Sequence, residues 1–399
     1  GAWIRGVLCV GEEAAMDKKI IMKPQLFVLG DDASLADLVT RLAPLSVVDT
    51  IDEQLEDLFL IRNPKYKFLP DHREAFLEFQ KSVFGTHQKE YYGTWVFFPW
   101  SNTLIHVLPE AEWHEARTGR NRNLITDDEQ KIFAKSVVAI AGLSVGSHVA
   151  LTITMMGGAH KMVLADPDVL SLSNLNRIRS GASQIGRSKI ELVAAQIYDM
   201  NPYAELVLFP EGITEENVAR FFDDAGVDIL VEETDNLGLK ILLREEAKKR
   251  KIPVVMGTDN GDGVILDVER FDLHSDLALF NGAIGDISIE EFKKFPPQEL
   301  PKLATKIAGP ELAVPRMKDS LLEVGRTIYS WPQLGSAATL CGAILSYLVR
   351  RIAVGAPVRE GKFALPVDEF ADADYLSPAA VSEREEHHKR FMSKLGLDL

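Results

Sequence analysis

Only two cysteines, Cys9 and Cys341, occur in 399 residues. They stand far apart and suggest neither a disulfide framework nor a Cys-rich metal site. That scarcity fits a reducing, cytoplasmic setting. An excess of positive charge is missing as well: 59 Asp and Glu outnumber 44 Lys and Arg, leaving a formal charge of -15. Such a balance repels phosphate backbones and disfavours nonspecific nucleic-acid binding. Small molecules or proteins are the better-matched partners. No apolar run reaches the length that spans a bilayer. The longest, from Leu334 to Val349, meets Arg350 and Arg351 first and reads as a buried helix, so no membrane partner is expected. Internal repeats and long low-complexity tracts are absent too.

What is present is a chain with 46% hydrophobic and 26% charged residues, enough to bury the core of one large or two ordinary domains. Gly1 to Ala15 begin without Met and precede Met16-Asp17-Lys18-Lys19, and are read as an expression-tag remnant. Residues 16–115 read as a small N-terminal α+β domain. Gln25 to Gly30 form a strand, Ser34 caps a helix, Asp71 to Val83 are helical, and the β-rich stretches around Ser101-Asn102 pair as a hairpin. From 116 to 275 short β-branched runs alternate with helical patterns. This predicts an α/β fold, a Rossmann-like, mainly parallel sheet with flanking helices. Its strands are expected at Ser136 to Ala141, Lys161 to Ala165, Leu206 to Phe209, Asp228 to Glu232 and Pro253 to Gly257. Val264 to Arg270 read as an added edge or antiparallel strand. Residues 276–399 hold prolines at 296, 297, 301, 310 and 315, read as a crossover or lid. A helix from Gln333 to Val354 and a charged tail through His387 and His388 follow. The tail reads as a solvated helix face rather than a metal site.

Chemistry enters at Gly142-Leu143-Ser144-Val145-Gly146, a turn between a strand and a helix. Small residues there let a phosphate approach backbone N–H groups at a helix N-terminus. The pattern departs from a full G-x-G-x-x-G, since Ser144 stands at the second glycine. The same letters satisfy G-x-S-x-G, which would make Ser144 the nucleophile of a hydrolase. No His-Gly-Gly segment precedes it, however, and His148 and His160 follow too closely to complete a triad. Asp166, at the end of the second strand, lies at the distance where a dinucleotide fold grips ribose hydroxyls. Nucleotide binding is therefore the better reading of turn plus acid.

The order of motifs narrows this further. Asp166-Pro167-Asp168 is followed by Ser173-Asn174-Leu175-Asn176-Arg177, then Gly186-Arg187-Ser188-Lys189, Asn201-Pro202 and Thr234-Asp235-Asn236. From about Arg120 to Phe271 the chain resembles the ThiF/MoeB/HesA family of adenylating enzymes within the ubiquitin-activating-enzyme superfamily. The resemblance implies that Gly142, Ser144, Gly146, Asp166 and Asp168 bind the nucleotide, while Asn174, Arg177 and Lys189 hold the ATP phosphates. Asp235 would bind Mg2+ beside the pyrophosphate. Arg122, with Arg120 as runner-up, matches an arginine that reaches into the neighbouring subunit's site, which implies a homodimer. These types suit the reaction. Attack of a carboxylate on the α-phosphorus builds charge that preplaced cations stabilise, guanidinium grips two oxygens, and magnesium takes a carboxylate plus phosphate oxygens.

Two features of the family are missing here. The chain lacks the Cys-x-x-Cys pairs that hold zinc in many relatives, and Cys341 sits in an apolar stretch, where it reads as packing. No zinc and no thioester are expected. The implied activity is ATP-dependent adenylation of a carboxylate on a peptide or small carrier protein, followed by attack of a non-cysteine nucleophile. The N-terminal α+β domain would clamp a peptide, as in enzymes that adenylate microcin or pantocin precursors. A nucleotide-sensing module and an NAD-binding oxidoreductase are the alternatives.

Overall fold

The computed structural model describes residues 23–30, 34–285, 287–296 and 299–396. The segment read as a tag remnant, with Cys9, lies outside the described residues.

The N-terminal unit runs β1 (Gln25–Phe27), α1 (Leu35–Leu42), β2 (Ser46–Asp49), α2 (Ile51–Arg62), α3 (Arg73–Phe84), β3 (Thr94–Phe98), β4 (Thr103–Val107) and α4 (Glu110–Thr118). Its four-stranded sheet has the order β1-β3-β4-β2. The expected hairpin is β3–β4, antiparallel with Phe98 opposite Thr103. β3 is buried along its whole length, because its alternating side chains serve two cores. Trp95 and Phe97 pack with Leu38 of α1. Val96 and Phe98 point the other way, into the main core with Tyr198 and with Phe133 of α5 (Asp127–Lys135). Each such aromatic or aliphatic group contributes roughly 1.5–3 kcal/mol when fully buried, so the N-terminal sheet is fastened to the core by more than its linker. Hydrogen bonds reinforce the seam: Trp100 Nε1 donates to Asp199 at 2.9 Å and Tyr203 Oη to the Leu108 carbonyl at 2.6 Å.

The second sheet has seven strands. After α5 come β5 (Val137–Ala141), α6 (Val145–Met155), β6 (Lys161–Ala165), α7 (Lys189–Met200), β7 (Glu205–Phe209), α8 (Val218–Asp223), β8 (Ile229–Glu232), α9 (Leu237–Arg250), β9 (Val254–Asn260) and β10 (Gly263–Glu269). Then follow α10 (Ile289–Phe292), α11 (Leu300–Ala308), α12 (Pro315–Glu323), α13 (Gly335–Ala353), β11 (Gly361–Leu365), α14 (Asp368–Ala371) and α15 (Pro378–Leu395). Strand order is β11-β10-β9-β8-β5-β6-β7, with β7, β6, β5, β8 and β9 parallel. β5 lies at the centre of the five parallel strands and is covered on both faces. Val138 and Ile140 enter one core, Ala139 and Ala141 the other. The α/β, Rossmann-like expectation holds, and all five parallel strands lie where the sequence placed them within a few residues.

Three details differ. β10 is antiparallel, as one reading allowed, but it is not an edge, because β11 pairs along its outer side. Much of the proline-rich stretch folds into α11 and α12, each with proline in its first turn, where its missing N–H costs nothing. The charged tail is α15, which buries Phe391 and rests on α12 through His387 and Asp319, 2.9 Å apart. It is more than a solvated face.

Candidate active site

In this strand order the chain leaves β5 toward β6 on one side and later returns to place β8 on the other. Their carboxyl ends frame a crevice at the topological switch point, the usual ligand position in open α/β sheets. The register aligns those ends: Ala141 of β5 is opposite Ala165 of β6 and Glu232 of β8. A cavity of about 450 Å³ opens there. Ser144, Arg177, Thr234 and Asp235 line it, as do Lys240, Glu233 and Asp259. Ala308, Pro310 and Met317, from α11, α12 and the turn between them, cover it.

The turn after β5 is built for close approach. Gly142 has φ +89°, and a Cβ there would come within 2.4 Å of the Glu233 carbonyl oxygen, so only glycine fits between β5 and the segment after β8. Gly146 packs against Ile140, where a Cβ would come within 2.8 Å. Ser144 is the N-cap of α6 but makes no side-chain cap bond. Its Oγ accepts from Arg177 Nε at 3.1 Å. That contact orients the guanidinium at a helix N-terminus, where backbone N–H groups and the helix dipole already favour an anion. His148, buried on α6, meets the Arg177 carbonyl through Nε2 at 2.6 Å, and burial pushes its pKa down. Its ring is thereby committed to Arg177. Among the described residues no histidine is hydrogen-bonded to Ser144, which removes the support for a hydrolase.

The acidic pair after β6 makes contacts within the chain. Asp166 is buried, and its two oxygens accept from Leu143 N at 2.6 Å and Asp168 N at 2.8 Å. Burial raises its pKa, partly offset by Lys189 and these backbone donors. It therefore holds the glycine turn against the segment after β6. Lys189, at the start of α7, is buried, and its ammonium sits 2.8 Å from the largely exposed Asp168 carboxylate. Asn174 accepts from Ser171 N at 3.0 Å and closes the short helical turn that carries Arg177.

Of the residues singled out from sequence, Ser144, Arg177 and Asp235 line the cavity, while Gly142, Gly146, Asp166, Asp168, Asn174 and Lys189 are not among its lining residues. Asp235 does not cap α9; Asn236 does, accepting from Leu239 N at 3.0 Å. Arg122 is exposed and 3.8 Å from Asp127. Its neighbour Asn121 donates to the Met156 carbonyl at the far end of α6. The 11 residues of α6 span ~16 Å, so Arg122 does not reach the cavity of its own chain.

Sequence reasoning missed Lys240, Glu233, Asp259 and Gln333. Glu233 accepts from Gly257 N at 2.7 Å, and burial pushes its carboxyl well up. Asp259, 7% exposed, is raised to about 6 by burial, against the pull of Gln333 and Arg177. A short relay joins these parts. Arg177 Nη1 donates to Asn176 Oδ1 at 3.0 Å, Asn176 Nδ2 to the Gln333 carbonyl at 2.7 Å, and Gln333 Nε2 to Asp259 Oδ2 at 3.3 Å. The available signal for Lys240 was its spacing of four from Arg244 on α9, which puts both on one face. Nothing local marks Asp259, whose partner is 74 residues away.

Comparison with known proteins gives three kinds of match. Residues 118–269 match the model of the ThiF family. An uncharacterized protein of Mycobacterium tuberculosis is 33% identical over 291 residues, 73% of this chain and 40% of that protein. The tRNA threonylcarbamoyladenosine dehydratase of Bacillus subtilis is 33% identical over 145 residues, 35% of this chain and 56% of that enzyme. This chain thus spans between two fifths and three fifths of the length of these two relatives. The crystal structure of PaaA aligns with a TM-score of 0.47 at 19% identity, covering 65% of this chain and 80% of that one.

Proposed function

We propose, from the premise that this chain belongs to the ThiF family through residues 118–269, that it is an ATP-dependent adenylyltransferase. It would join a carboxylate to AMP and release pyrophosphate. The observation that carries this reading is Arg177, oriented by Ser144 at the N-terminus of α6 and facing a cavity at the β5/β8 switch point. A triphosphate entering there meets backbone donors and the guanidinium before any reaction begins. Preplaced donors are worth far more where water is excluded than in solution. Lys189 would exchange its Asp168 partner for a phosphate oxygen, and Asn174 would keep the Arg177 turn in place. Asp166 would add a ribose contact to its two backbone bonds, since each carboxylate oxygen accepts more than one hydrogen bond.

Asp235 is the residue that would hold Mg2+. It is exposed and lines the cavity, and magnesium prefers one or two carboxylates together with phosphate oxygens and water. When bound, the metal would neutralise charge on the departing pyrophosphate. Arg122, too far from its own cavity, would act in a second copy of the chain, making the enzyme a homodimer. Substrate choice favours a peptide or small carrier protein over tRNA, because a chain of charge -15 repels a polyanion. Among the described residues the one thiol, Cys341, is buried and its pKa is pushed well up by that burial, which disfavours it as an acyl acceptor and supports a non-cysteine nucleophile. Among the described residues no helix is long and apolar enough to cross a membrane.

Pyrophosphate exchange into ATP, tested with ribosomal peptides and with carrier proteins ending in Gly-Gly, examines this directly. Exchange that depends on the carboxylate and falls at least 100-fold in Asp235→Ala is the expected result. No exchange with any such acid, or full exchange in the variant, would contradict it.

A further inference from the structure

The cavity carries more than a nucleotide needs. Two of its carboxylates, Glu233 and Asp259, lie on the wall formed by β9 and the segment after β8. Their partners are unequal. Glu233 is held by Gly257 N at 2.7 Å. Asp259 receives a single long bond from Gln333 at Oδ2, while its Oδ1 is buried with no hydrogen-bond partner among the described residues. The cavity's cations do not fill that gap. Lys240 is taken up by Glu232, with Nζ 3.1 Å from each oxygen, and Arg177 is tied to Ser144 and Asn176. A buried carboxylate oxygen without a donor is costly, and a ligand that brings a donor recovers that cost.

The same cavity is bordered by Met256, Ile265, Ala313, Met317 and Leu321, an apolar wall suited to an alkyl stem. We propose that Asp259 and the apolar wall beside it form a subsite for a primary alkylammonium, the amine end of a lysine-like side chain or of a peptide. The inference deepens the adenylation reading and rests on it for what the amine serves: it sits in the cavity where the acyl group would be activated. The Arg177–Asn176–Gln333–Asp259 relay links the amine subsite to the phosphate-binding arginine.

Titration calorimetry with n-butylammonium chloride at about pH 8, where an alkylammonium keeps its proton, tests the subsite without any knowledge of the natural acid. Wild type should bind n-butylammonium at least tenfold more tightly than the neutral isostere 1-butanol. Asp259→Asn, checked for an intact melting transition, should lose that preference. Asp259→Glu, which keeps the charge, should retain part of it and serves as the reference if the asparagine variant fails to fold. Equal binding of amine and alcohol, or an unchanged preference in Asp259→Asn, would overturn the subsite. So would displacement of the amine by magnesium chloride at matched ionic strength. ATP titrated into wild type in parallel reports on the adenylation reading alone. Amine binding without ATP binding keeps the subsite and sinks that reading; ATP binding without amine binding does the reverse.

Discussion

Glu232 and Asp259 lie near the ends of adjacent strands of one sheet, and both are buried, yet their surroundings treat them in opposite ways. Glu232 receives Lys240, Arg244 at 2.6 Å, and both the N–H and the hydroxyl of Thr234. Burial alone would raise its pKa, but the two cations and these donors outweigh that and bring it to about 2. Asp259, with one long bond, is carried up to about 6. Burial is common to these two carboxyls, and the difference between them follows the donors committed to each. The first belongs to a closed network. Arg244 reaches on to Glu269 at 2.6 Å and lies over the Phe280 ring at 3.9 Å, and Glu269 accepts from Phe280 N at 2.6 Å. The second faces a cavity and is left open.

Breaking the closed side should produce the largest effect. Arg244→Met keeps much of the buried volume but strands Glu232 and Glu269, and removing one partner of a buried ionic network costs about 3–5 kcal/mol. Chemical denaturation should show that loss at neutral pH, with a smaller loss at low pH where the carboxylates are protonated. A loss under about 1 kcal/mol would erase the contrast between the two sites.

The open side should respond with the opposite sign. A carboxyl raised from 3.8 to about 6 on folding contributes stability in full below its unfolded pKa and loses it as pH rises through the folded value. Asp259→Asn, always neutral, should match wild type below about pH 4. It should gain on it between the two pKa values and level off up to about 3 kcal/mol more stable above about pH 7. Melting curves across that range check the sign. A destabilised variant at about pH 8 would mean that Asp259 is satisfied by groups the account does not include.

The contrast also marks what could be read from sequence. The glycine turn, the Asp166–Asp168 pair, Arg177, Lys189 and Asp235 belong to short, ordered motifs, and the resemblance those motifs carry singled them out as candidates. The five parallel strands were legible as β-branched runs covered on both faces. Asp259 was not, because its meaning comes from Gln333 and from the cover supplied by α11 and α12. The stretch was read as a crossover or lid without its helices, since proline at the first turn of a helix looks like proline in a loop until the helix is seen. β11, Gly-Lys-Phe-Ala-Leu, is half-buried along its length and shows no clear alternation. Only its pairing with β10 makes it a strand. Arg244 sits in a charge-rich helix, and its buried contacts to Glu232 of β8 and Glu269 of β10 make it structural.

The central claim is that Arg177, set by Ser144 at the head of α6, grips a nucleotide triphosphate. Calorimetric titration of wild type and Arg177→Ala with magnesium-ATP and with NAD tests it most directly. ATP should bind wild type more tightly than NAD and lose at least tenfold in affinity, about 1.4 kcal/mol, in a variant that remains folded. Undiminished ATP binding in Arg177→Ala, or a preference for NAD in wild type, would contradict the account.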